Sequence, residues 1–459
     1  MMNGMQDVPV EIGRYIQKLE QENKELGEKI KKLEGENRQL KQSIKELQSQ
    51  LENLEHTTSV PSFVKPDKRK RRKKLGQKPG HKGYSRPIPD HVDEEVDLSF
   101  DRCPDCGGKL SETQDMFSHY VEDIKMPRAW VKKYNIHRKY CKKCKKLVSP
   151  KPMDVLPKCH FGLVLMLFVC FQKYGLHLPF NKIAFELETY FGIRVSVGEL
   201  SFMVQKIAGL FGPRFEALKQ EMRQLRVKYV DETGWRINGR NHWLWAFIAE
   251  QEAIALYIID KSRSSRVPRR VLGRKHQGIT VNDFFSAYNK FGGLQQKSWV
   301  HLLRETSKLS KTKTASEEMK QFHKRLKRLY RDAVRFKEKE PPPDEVERGM
   351  KRFLKRLDEL ITGNYTDDHC QRLTKRLRKH RENMFRFLTV KELRSDNNMA
   401  EQGIRPNVVM RKISGGNRSQ NGAHAHEVMM SMIETYKRRD QNFFAEGMTY
   451  IQDQLRMAR

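Results

Sequence analysis

The chain has 459 residues, of which 90 are Lys or Arg and 57 are Asp or Glu, so its formal net charge is +33. This length predicts two to four domains, and this excess of positive charge predicts a polyanionic partner, most often nucleic acid. A mean hydropathy of −0.78 and a longest apolar run of only Phe161–Phe171 argue against a membrane protein, because a membrane span needs about 20 apolar residues. The seven cysteines, an odd number, and an N-terminus without signal-peptide features predict a reducing, cytoplasmic compartment.

The first segment carries a heptad repeat. Leu or Ile recurs every seven residues, and a second series lies four residues after each of the first six. The first series is Ile12, Leu19, Leu26, Leu33, Leu40, Leu47 and Leu54, and the second is Ile16, Asn23, Ile30, Asn37, Ile44 and Leu51. Leu at d with branched residues at a favours a parallel coiled coil, whose register the two Asn residues fix. We expect a homodimer or higher oligomer through residues 11–56; one amphipathic helix packed on its own domain is the alternative.

A run of seven consecutive cations follows a linker marked by prolines. It consists of Lys68, Arg69, Lys70, Arg71, Arg72, Lys73 and Lys74. Such a block releases counterions when it binds DNA phosphates, which gives affinity without sequence specificity. We interpret it as a DNA-binding arm. A solvated tail or, in a eukaryote, a nuclear import signal is the alternative.

Two C-x-x-C pairs follow, Cys103 with Cys106 and Cys141 with Cys144. Each pair can supply two thiolates to one tetrahedral ion, and four Cys ligands leave no open position for catalysis. The pairs are farther apart than the usual ribbon spacing of roughly 15–20 residues. We expect a structural Zn²⁺ site in a small β domain; redox pairs or buried thiols are the alternatives.

Helical periodicity extends from residue 161 to about 224. Gly192 ends one predicted helix, and Ser196 with Glu199 forms a capping box that begins the next. Helix, turn and helix outline a helix-turn-helix, but a plain helical packing unit has the same pattern. The second helix carries few cations, which argues against extensive base recognition.

A strand pattern then begins, and it positions two acids. The predicted strands are 226–230, 242–248, 253–259, 278–282 and 298–303. Asp231 follows the first strand and Asp283 follows the fourth, so the two side chains meet if those strands are neighbours. Two carboxylates suit Mg²⁺, a hard cation, and a third acid would complete a two-metal site. Alone, each acid is more often a turn residue or a helix cap.

Two sequence blocks resemble the transposases of the insertion sequence 66 family. The first is Asp231-Glu-Thr-Gly-Trp235, and the second is Asp396-Asn-Asn-Met-Ala-Glu401 followed by Ile404-Arg405-Pro406. Weaker matches are Tyr288, Trp299 and His301. The order of zipper, basic segment, Cys pairs, helical region and core is also similar to the family, so the resemblance covers nearly the whole chain. Ser298 stands where the family pattern has Cys.

The resemblance implies a ribonuclease-H-like core with a D-D-E triad, and Asp231, Asp283 and Glu401 occupy the matching positions. It implies that the triad holds two Mg²⁺ or Mn²⁺ ions, roughly 3.5–4 Å apart, which support in-line phosphoryl transfer. Such an enzyme cleaves the ends of a mobile element and joins the freed 3′-OH to target DNA. His301 would assist catalysis. The further DNA-binding candidates are Arg405, Arg411 and Lys412, and the acids set aside are Asp260, Glu232 and Asp396.

The expected fold class is multi-domain α+β. The expected segments are a coiled coil (1–60), a basic linker (61–98), a zinc-binding β domain (99–152), a helical domain (153–224), the first part of a ribonuclease-H-like α/β catalytic core (225–305), a helical insertion (306–390), and the rest of the core with C-terminal helices (391–459).

The expected partners are double-stranded DNA, both element ends and target, and other copies of the chain. Family members also often act with small accessory transposition proteins. The expected location is the prokaryotic cytoplasm, on the nucleoid when DNA is bound, with no membrane partner. Two other functions remain open: a zipper-dimerised, zinc-stabilised regulator without catalysis, and a ribonuclease-H-like nuclease that hydrolyses DNA without strand transfer.

Overall fold

The computed structural model describes residues 86–457 apart from 126, 153, 158, 275 and 291, together with residues 80 and 83 and parts of 18–46. The architecture is mixed α+β, as expected. The chain separates into two compact units, Met1–Glu122 and Asp123–Arg459. Within the described ranges, no helix is long and apolar enough to span a bilayer.

In the first unit, residues 24–37 are helical and belong to the segment with the heptad repeat. Leu26, Ile30 and Leu33 are exposed along this helix. The other heptad positions are described only in part, and Asn23 lies outside the described residues. The seven cations at 68–74 also lie outside them.

The second unit begins with a small hairpin and continues with three helices. Strands β1 (Lys139–Cys141) and β2 (Lys146–Val148) pair antiparallel. The three helices are α1 (Leu163–Tyr174), α2 (Phe180–Phe191) and α3 (Val197–Gln224).

The predicted break and cap between α2 and α3 are both present. Gly192 ends α2 in the left-handed conformation, with a φ of 67° that only glycine adopts without cost. The Ser196 hydroxyl accepts from the Glu199 N–H, and the Glu199 carboxylate accepts from the Ser196 N–H. However, α3 buries its apolar side chains from Leu200 to Met222 and packs against α1. This burial favours a packing role for α3 over base recognition.

A five-stranded sheet forms the centre of the second unit, in the order β5-β4-β3-β6-β7. The strands are β3 (Val227–Ile237), β4 (Arg240–Ala249), β5 (Ile254–Asp260), β6 (Ile279–Asn282) and β7 (Leu294–Lys297). The pairs β3–β4 and β4–β5 are antiparallel, whereas β3–β6 and β6–β7 are parallel. The first strand does not end at Asp231 as predicted, because pairing with β4 continues to Ile237.

The prediction of a fifth strand at 298–303 was wrong. The fifth strand is β7, and residues Trp299–Leu309 form helix α5. A short run such as Trp-Val-His-Leu-Leu fits a strand or a helix equally well. The tertiary structure selects the helix, because Trp299, Leu302 and Thr306 share one helical face and are all buried.

Two helices pack directly on the sheet: α9 (Asn398–Ser414) contacts β3 and β4, and α10 (Gln420–Arg438) contacts β5. Helix α4 (Arg266–Leu272) packs against α3, and α11 (Phe443–Met457) packs against α1. The outer edge of β5 is covered by α10, whose polar side chains accept the free N–H groups of that strand. The bonds run from Ala255 to Thr435, from Tyr257 to Ser431, and from Ile259 to Glu427. This cover prevents edge-to-edge association of the strand.

The segment between α5 and α9 is helical, in agreement with the expected insertion. Its helices are α6 (Glu317–Glu338), α7 (Pro343–Ile361) and α8 (Asp368–Lys379). Pro341 and Pro342 lie between α6 and α7, and Pro343 is the first residue of α7. Proline favours this first helical position. Each of the three helices buries one apolar stripe, so together they form a packed helical layer.

A buried histidine in α10 predicts loss of stability in acid. His426 contacts the rings of Tyr174 and Trp235, and its Nε2 lies 2.8 Å from Asn407 Oδ1. Burial lowers the pKa of His426 to about 3, and the charges of Lys173 and His177 contribute to this lowering.

In the unfolded chain, His426 is protonated below its usual pKa of about 6.5. In the folded protein, it stays neutral until the pH falls to about 3. Stability therefore falls as pH falls through this window, by about 1.4 kcal/mol per pH unit. We expect His426→Gln to reduce the difference in unfolding free energy between pH 7.5 and pH 4.5 by about 3 kcal/mol. Chemical denaturation of wild type and variant at both pH values measures this difference. An unchanged difference in the variant would contradict the role of His426 in acid sensitivity.

Candidate active site

Asp231 and Asp283 occupy equivalent positions on two adjacent parallel strands. The pairing of β3 with β6 extends to Tyr229 opposite Val281. Each Asp lies two residues beyond that last pair, and side chains two residues apart along a strand share a face. The two carboxyl groups are close enough that Asp283 raises the pKa of Asp231. The condition under which the two acids can meet, that their strands are neighbours, is therefore fulfilled.

Glu401 reaches the same edge of the sheet from the first turn of α9. The Asn397 side-chain N–H donates to the Val230 carbonyl (3.0 Å), which ties the start of the helix to the strand residue just before the first acid. Gly403 lets the helix lie close to the sheet, because a Cβ at this position would come within 2.6 Å of the Ile248 side chain. The D-N-N-x-x-E-x-G spacing therefore positions the carboxylate through packing of the helix.

Two side chains of α5, His301 and Arg304, contact the Glu401 carboxylate. His301 Nε2 lies 3.3 Å and Arg304 Nη1 lies 3.2 Å from Glu401 Oε1. His301 Nδ1 lies 3.0 Å from Ser298 Oγ, which also accepts from the Asn397 N–H (3.3 Å). The four sequence-predicted catalytic residues thus lie close together, near the point where β6 ends beside β3.

The site concentrates negative charge. Burial raises the pKa of Asp231 well above its usual value, and the carboxylates of Glu232, Asp283 and Glu401 raise it further. A divalent cation is the usual neutraliser of such a cluster. Nowhere in the described ranges, however, are three or more His, Cys, Asp or Glu side chains spaced to hold one ion. The Glu401 carboxylate instead contacts His301 and Arg304.

A buried lysine lies beneath Asp283. Lys297 is fully buried at the end of β7, and its Nζ donates to Asn282 Oδ1 (2.7 Å) and to the Asp283 carbonyl (2.9 Å). Burial lowers the pKa of Lys297 to about 7. The Phe285 N–H donates to Asp283 Oδ1 (2.9 Å), so both the backbone and the side chain of Asp283 are held in place.

Two of the acids set aside on sequence have structural partners. Asp260 forms ion pairs with Arg270 (2.8 Å) and Arg266 (3.4 Å). Asp396 accepts from the Asn398 N–H (2.9 Å) at the start of α9, as a local cap does.

Glu232, the third such acid, lies on the opposite face of β3 from Asp231, since neighbouring residues of a strand alternate. Its Oε1 accepts from Arg263 Nε (3.0 Å) and Nη2 (2.9 Å), and its Oε2 accepts from the Tyr288 hydroxyl. Burial raises the pKa of Glu232, and the nearby Asp283 charge adds to this effect. Tyr288, a weaker match to the family pattern, thus supports the back of the site.

The predicted DNA-binding residues of α9 have different surroundings. Arg411 Nη1 donates to Thr233 Oγ1 (3.0 Å) and to the Gly234 carbonyl, so it joins the second sequence block to the first. Arg405 is exposed one turn beyond Glu401, and Lys412 is exposed near the end of the helix. DNA contact by these three residues stays a prediction.

Each Cys pair forms a local turn with thiolate-stabilising donors. The Gly107 N–H donates to the Cys103 carbonyl (2.8 Å), and the Cys144 N–H donates to Cys141 Sγ (3.4 Å). The pKa of Cys103 is lowered chiefly by a hydrogen bond from the Cys106 backbone N–H. The pKa of Cys141 is lowered chiefly by a hydrogen bond from the Cys144 backbone N–H. Lower thiol pKa values favour the thiolate, which is the metal-binding form.

Comparison with known protein families identifies the class of protein, which is that of the transposases. The family model described as "Transposase IS66 family" matches residues 158–425, more than half of the chain. The chain belongs to the IS66 transposase family. The match includes all four residues that were predicted to be catalytic.

Two relatives come from Sinorhizobium fredii (strain NBRC 101917 / NGR234). Uncharacterized protein y4hP is 22% identical over 219 residues, which are 44% of this chain and 39% of the relative. Uncharacterized protein y4jO is 32% identical over 117 residues, which are 26% of this chain and 35% of the relative. The chain thus spans well under half the length of either relative.

Sequence reasoning missed three cations at the site: Lys297, Arg304 and Arg263. Arg304 lies three residues after His301 on one helical face, a spacing that would have identified it if residues 298–303 had been predicted as a helix. Nothing in the local sequence identifies Lys297 or Arg263 as part of the site. Lys297 meets Asp283, and Arg263 meets Glu232, only because the fold brings distant segments together.

Proposed function

We propose that the protein is a DNA transposase that cleaves the ends of an insertion sequence and joins the 3′-OH to target DNA. Asp231, Asp283 and Glu401 form its D-D-E triad. The observation that carries the proposal is the register of β3 and β6, which aligns the two Asp residues beside the helix that presents Glu401. The proposed fold of this core is ribonuclease-H-like.

We propose that the triad holds Mg²⁺ or Mn²⁺. Carboxylate oxygens are the donors that these hard cations prefer, and the crowding of acids that raises the pKa of Asp231 is relieved by positive charge. When bound, two ions stabilise the attacking and leaving oxygens of a phosphodiester.

The chain's own residues orient the acids and the DNA. His301 and Arg304 hold the Glu401 carboxylate near the sheet edge, and Lys297 fixes the backbone of Asp283. Arg405, exposed one turn beyond Glu401, is placed to contact a DNA phosphate. The cations at 68–74 add affinity that does not depend on sequence.

A strand-transfer assay tests this function. The full chain is incubated with Mg²⁺, a target plasmid and a labelled duplex that carries the terminal inverted repeat flanking its gene. Labelled DNA covalently joined to the plasmid is the expected product. Cleaved but unjoined ends would favour the nuclease, and binding without cleavage would favour the non-catalytic regulator.

We further propose that residues 11–56 form the predicted parallel coiled coil and make the protein a homodimer or higher oligomer. The exposed Leu26, Ile30 and Leu33 support this proposal, since they form one apolar stripe along the helix. We expect a peptide of residues 11–56 to sediment as a dimer or larger species at micromolar concentration. Asn37→Leu should relax the oligomer state without abolishing association, whereas a monomeric wild-type peptide would contradict the proposal.

The Cys pairs are proposed to hold one structural Zn²⁺. The turns and the lowered thiol pKa values support each pair as a ligand unit. We expect about one zinc per chain by elemental analysis, with Cys106→Ser or Cys144→Ser losing it. The matched control is Cys370→Ser, which changes a buried thiol of the helical insertion and should retain the zinc. Zinc loss from the control alone would contradict the assignment.

A further inference from the structure

Arg263 lies behind the two strand acids and is held in one orientation. Its Nε and Nη2 both donate to Glu232 Oε1, at 3.0 and 2.9 Å. Its Cζ lies 4.3 Å from the ring centre of Trp243 and 4.1 Å from that of Phe285. Two rings and a carboxylate thus restrict the guanidinium plane, which otherwise rotates freely on a long side chain.

Glu232, the hydrogen-bond partner of Arg263, is buried, but Arg263 itself is not. The Glu232 side chain is 2% exposed, whereas the Arg263 side chain is 43% exposed. Glu232 also accepts from the Tyr288 hydroxyl, so both of its oxygens are occupied. Across the described part of the chain, Arg263 Nη1 makes no hydrogen bond. One N–H of Nη1 and the second N–H of Nη2 point the same way and form an edge that remains for a ligand.

The same contacts connect Arg263 to both proposed strand acids, from the face of β3 opposite to Asp231. Glu232 follows Asp231 directly in β3, and the Phe285 N–H donates to Asp283 Oδ1 (2.9 Å). The guanidinium therefore contacts one residue adjacent to Asp231 and one that is hydrogen-bonded to Asp283.

The neighbouring cations are engaged differently. Arg266 and Arg270 share the Asp260 carboxylate, and Arg269 donates to the Lys290 carbonyl. Arg263 differs from these three in combining an oriented plane, a free edge and proximity to both acids.

We propose that Arg263 binds a phosphate of the DNA strand that passes the acidic centre, close to the scissile bond. The inference rests on the proposed function, because that function supplies the DNA. A guanidinium edge with two N–H groups suits a phosphodiester, whose two free oxygens accept parallel hydrogen bonds. Glu232 is then a positioning residue for Arg263, and the two rings restrict the same plane.

Methylphosphonate scanning of the substrate tests the contact. A series of end duplexes carries one neutral methylphosphonate in place of each phosphate within several nucleotides of the cleavage site. Binding by the full-length protein is measured for wild type, Arg263→Gln and Arg274→Gln. The matched control, Arg274, is exposed in the same segment and has none of the ring contacts.

We expect one methylphosphonate position to weaken wild-type binding by roughly tenfold or more, the value of a charge-assisted hydrogen bond. Arg263→Gln should lose this sensitivity at that position only and should bind unmodified DNA about as weakly as wild type binds the neutralised duplex. Its log–log salt slope should be shallower by about 1. Arg274→Gln should keep the wild-type sensitivity at that position.

If Arg263→Gln keeps the whole wild-type pattern, the proposal is overturned while the transposase assignment stands. If wild type neither cleaves nor joins end DNA, the proposed function fails, and the binding scan reports separately on Arg263. Should Arg263→Gln melt below the assay temperature, Arg263→Lys retains the positive charge but lacks the planar fork. Full retention of sensitivity in that variant would overturn the two-bond contact by the planar guanidinium, whereas partial loss is expected.

Discussion

Asp231→Asn is expected to abolish metal-dependent cleavage while raising the stability of the metal-free protein. The substitution keeps the side chain's shape but removes a metal-binding charge, and metal stabilisation of the transition state is worth several kcal/mol. Since about 1.4 kcal/mol is tenfold in rate, the loss should reach about a thousandfold or more. Asp283→Asn and Glu401→Gln should lose cleavage similarly, with DNA binding retained.

The stability gain follows from the raised pKa of Asp231. A carboxyl group whose folded pKa exceeds its unfolded value stabilises the fold at low pH and loses that contribution as pH rises through the folded pKa. Above both pKa values, the charged carboxylate costs about 1.4 kcal/mol for each pH unit by which its folded pKa exceeds its unfolded one, and Asn avoids this cost. Thermal unfolding in EDTA at pH 8 and a cleavage assay in Mg²⁺ measure the two effects.

Asp344→Asn is the matched control, because Asp344 is exposed on α7 and pairs with Arg348 one helical turn away. It should leave cleavage and melting temperature nearly unchanged. Cleavage retained by any one triad variant would remove that residue from the triad. A fall in the metal-free stability of Asp231→Asn would contradict the electrostatic account of its pKa.

Trp299→Ala is expected to lower the unfolding free energy by about 3–5 kcal/mol, the usual cost of deleting a buried Trp side chain. Trp299 is fully buried, its Nε1 donates to the Met384 carbonyl (2.6 Å), and its ring packs 5.3 Å from those of Tyr330 and Phe385. These contacts join the helical insertion to the helix that carries His301. Chemical denaturation measures the loss, and cleavage should fall as well.

Two further substitutions separate packing from the hydrogen bond. Trp299→Phe retains a ring and should cost less than Trp299→Ala, because it removes one hydrogen bond to the Met384 carbonyl, which still accepts from Gln296 Nε2 (3.0 Å). Trp130→Ala deletes the same side chain at a position that is 84% exposed, and it should change stability by no more than about 0.5 kcal/mol. A loss as large in Trp130→Ala would contradict the packing account.

Most of the core was predictable from local patterns. The consecutive antiparallel strands β3 to β5, the capping box at Ser196 and the helices after Thr306 each appear as expected. The error at Trp299–Leu303 had a physical cause. Five residues are too few to distinguish period 2 from period 3.6, and burial against the insertion selected the helix.

The acids show how far sequence reasoning reaches in the candidate site. Asp231, Asp283 and Glu401 were found by their sequence blocks and strand order, and they do lie at one edge of the sheet. Arg304, Lys297 and the Arg263–Glu232 pair were not found. Their partners lie between 15 and 97 residues away, and no local spacing encodes such contacts.

The sequence by itself determined the excess of positive charge and the sequence blocks that contain the three acids proposed as the triad. These properties reside in residue types and short spacings. Only the tertiary structure decided which cations face those acids, because a long side chain's partner depends on the strands and helices brought beside it. The net charge of +33 therefore predicted a polyanion. The fold decided that His301 and Arg304 contact Glu401, that Lys297 holds Asp283, and that Arg263 presents a free edge beside the acids.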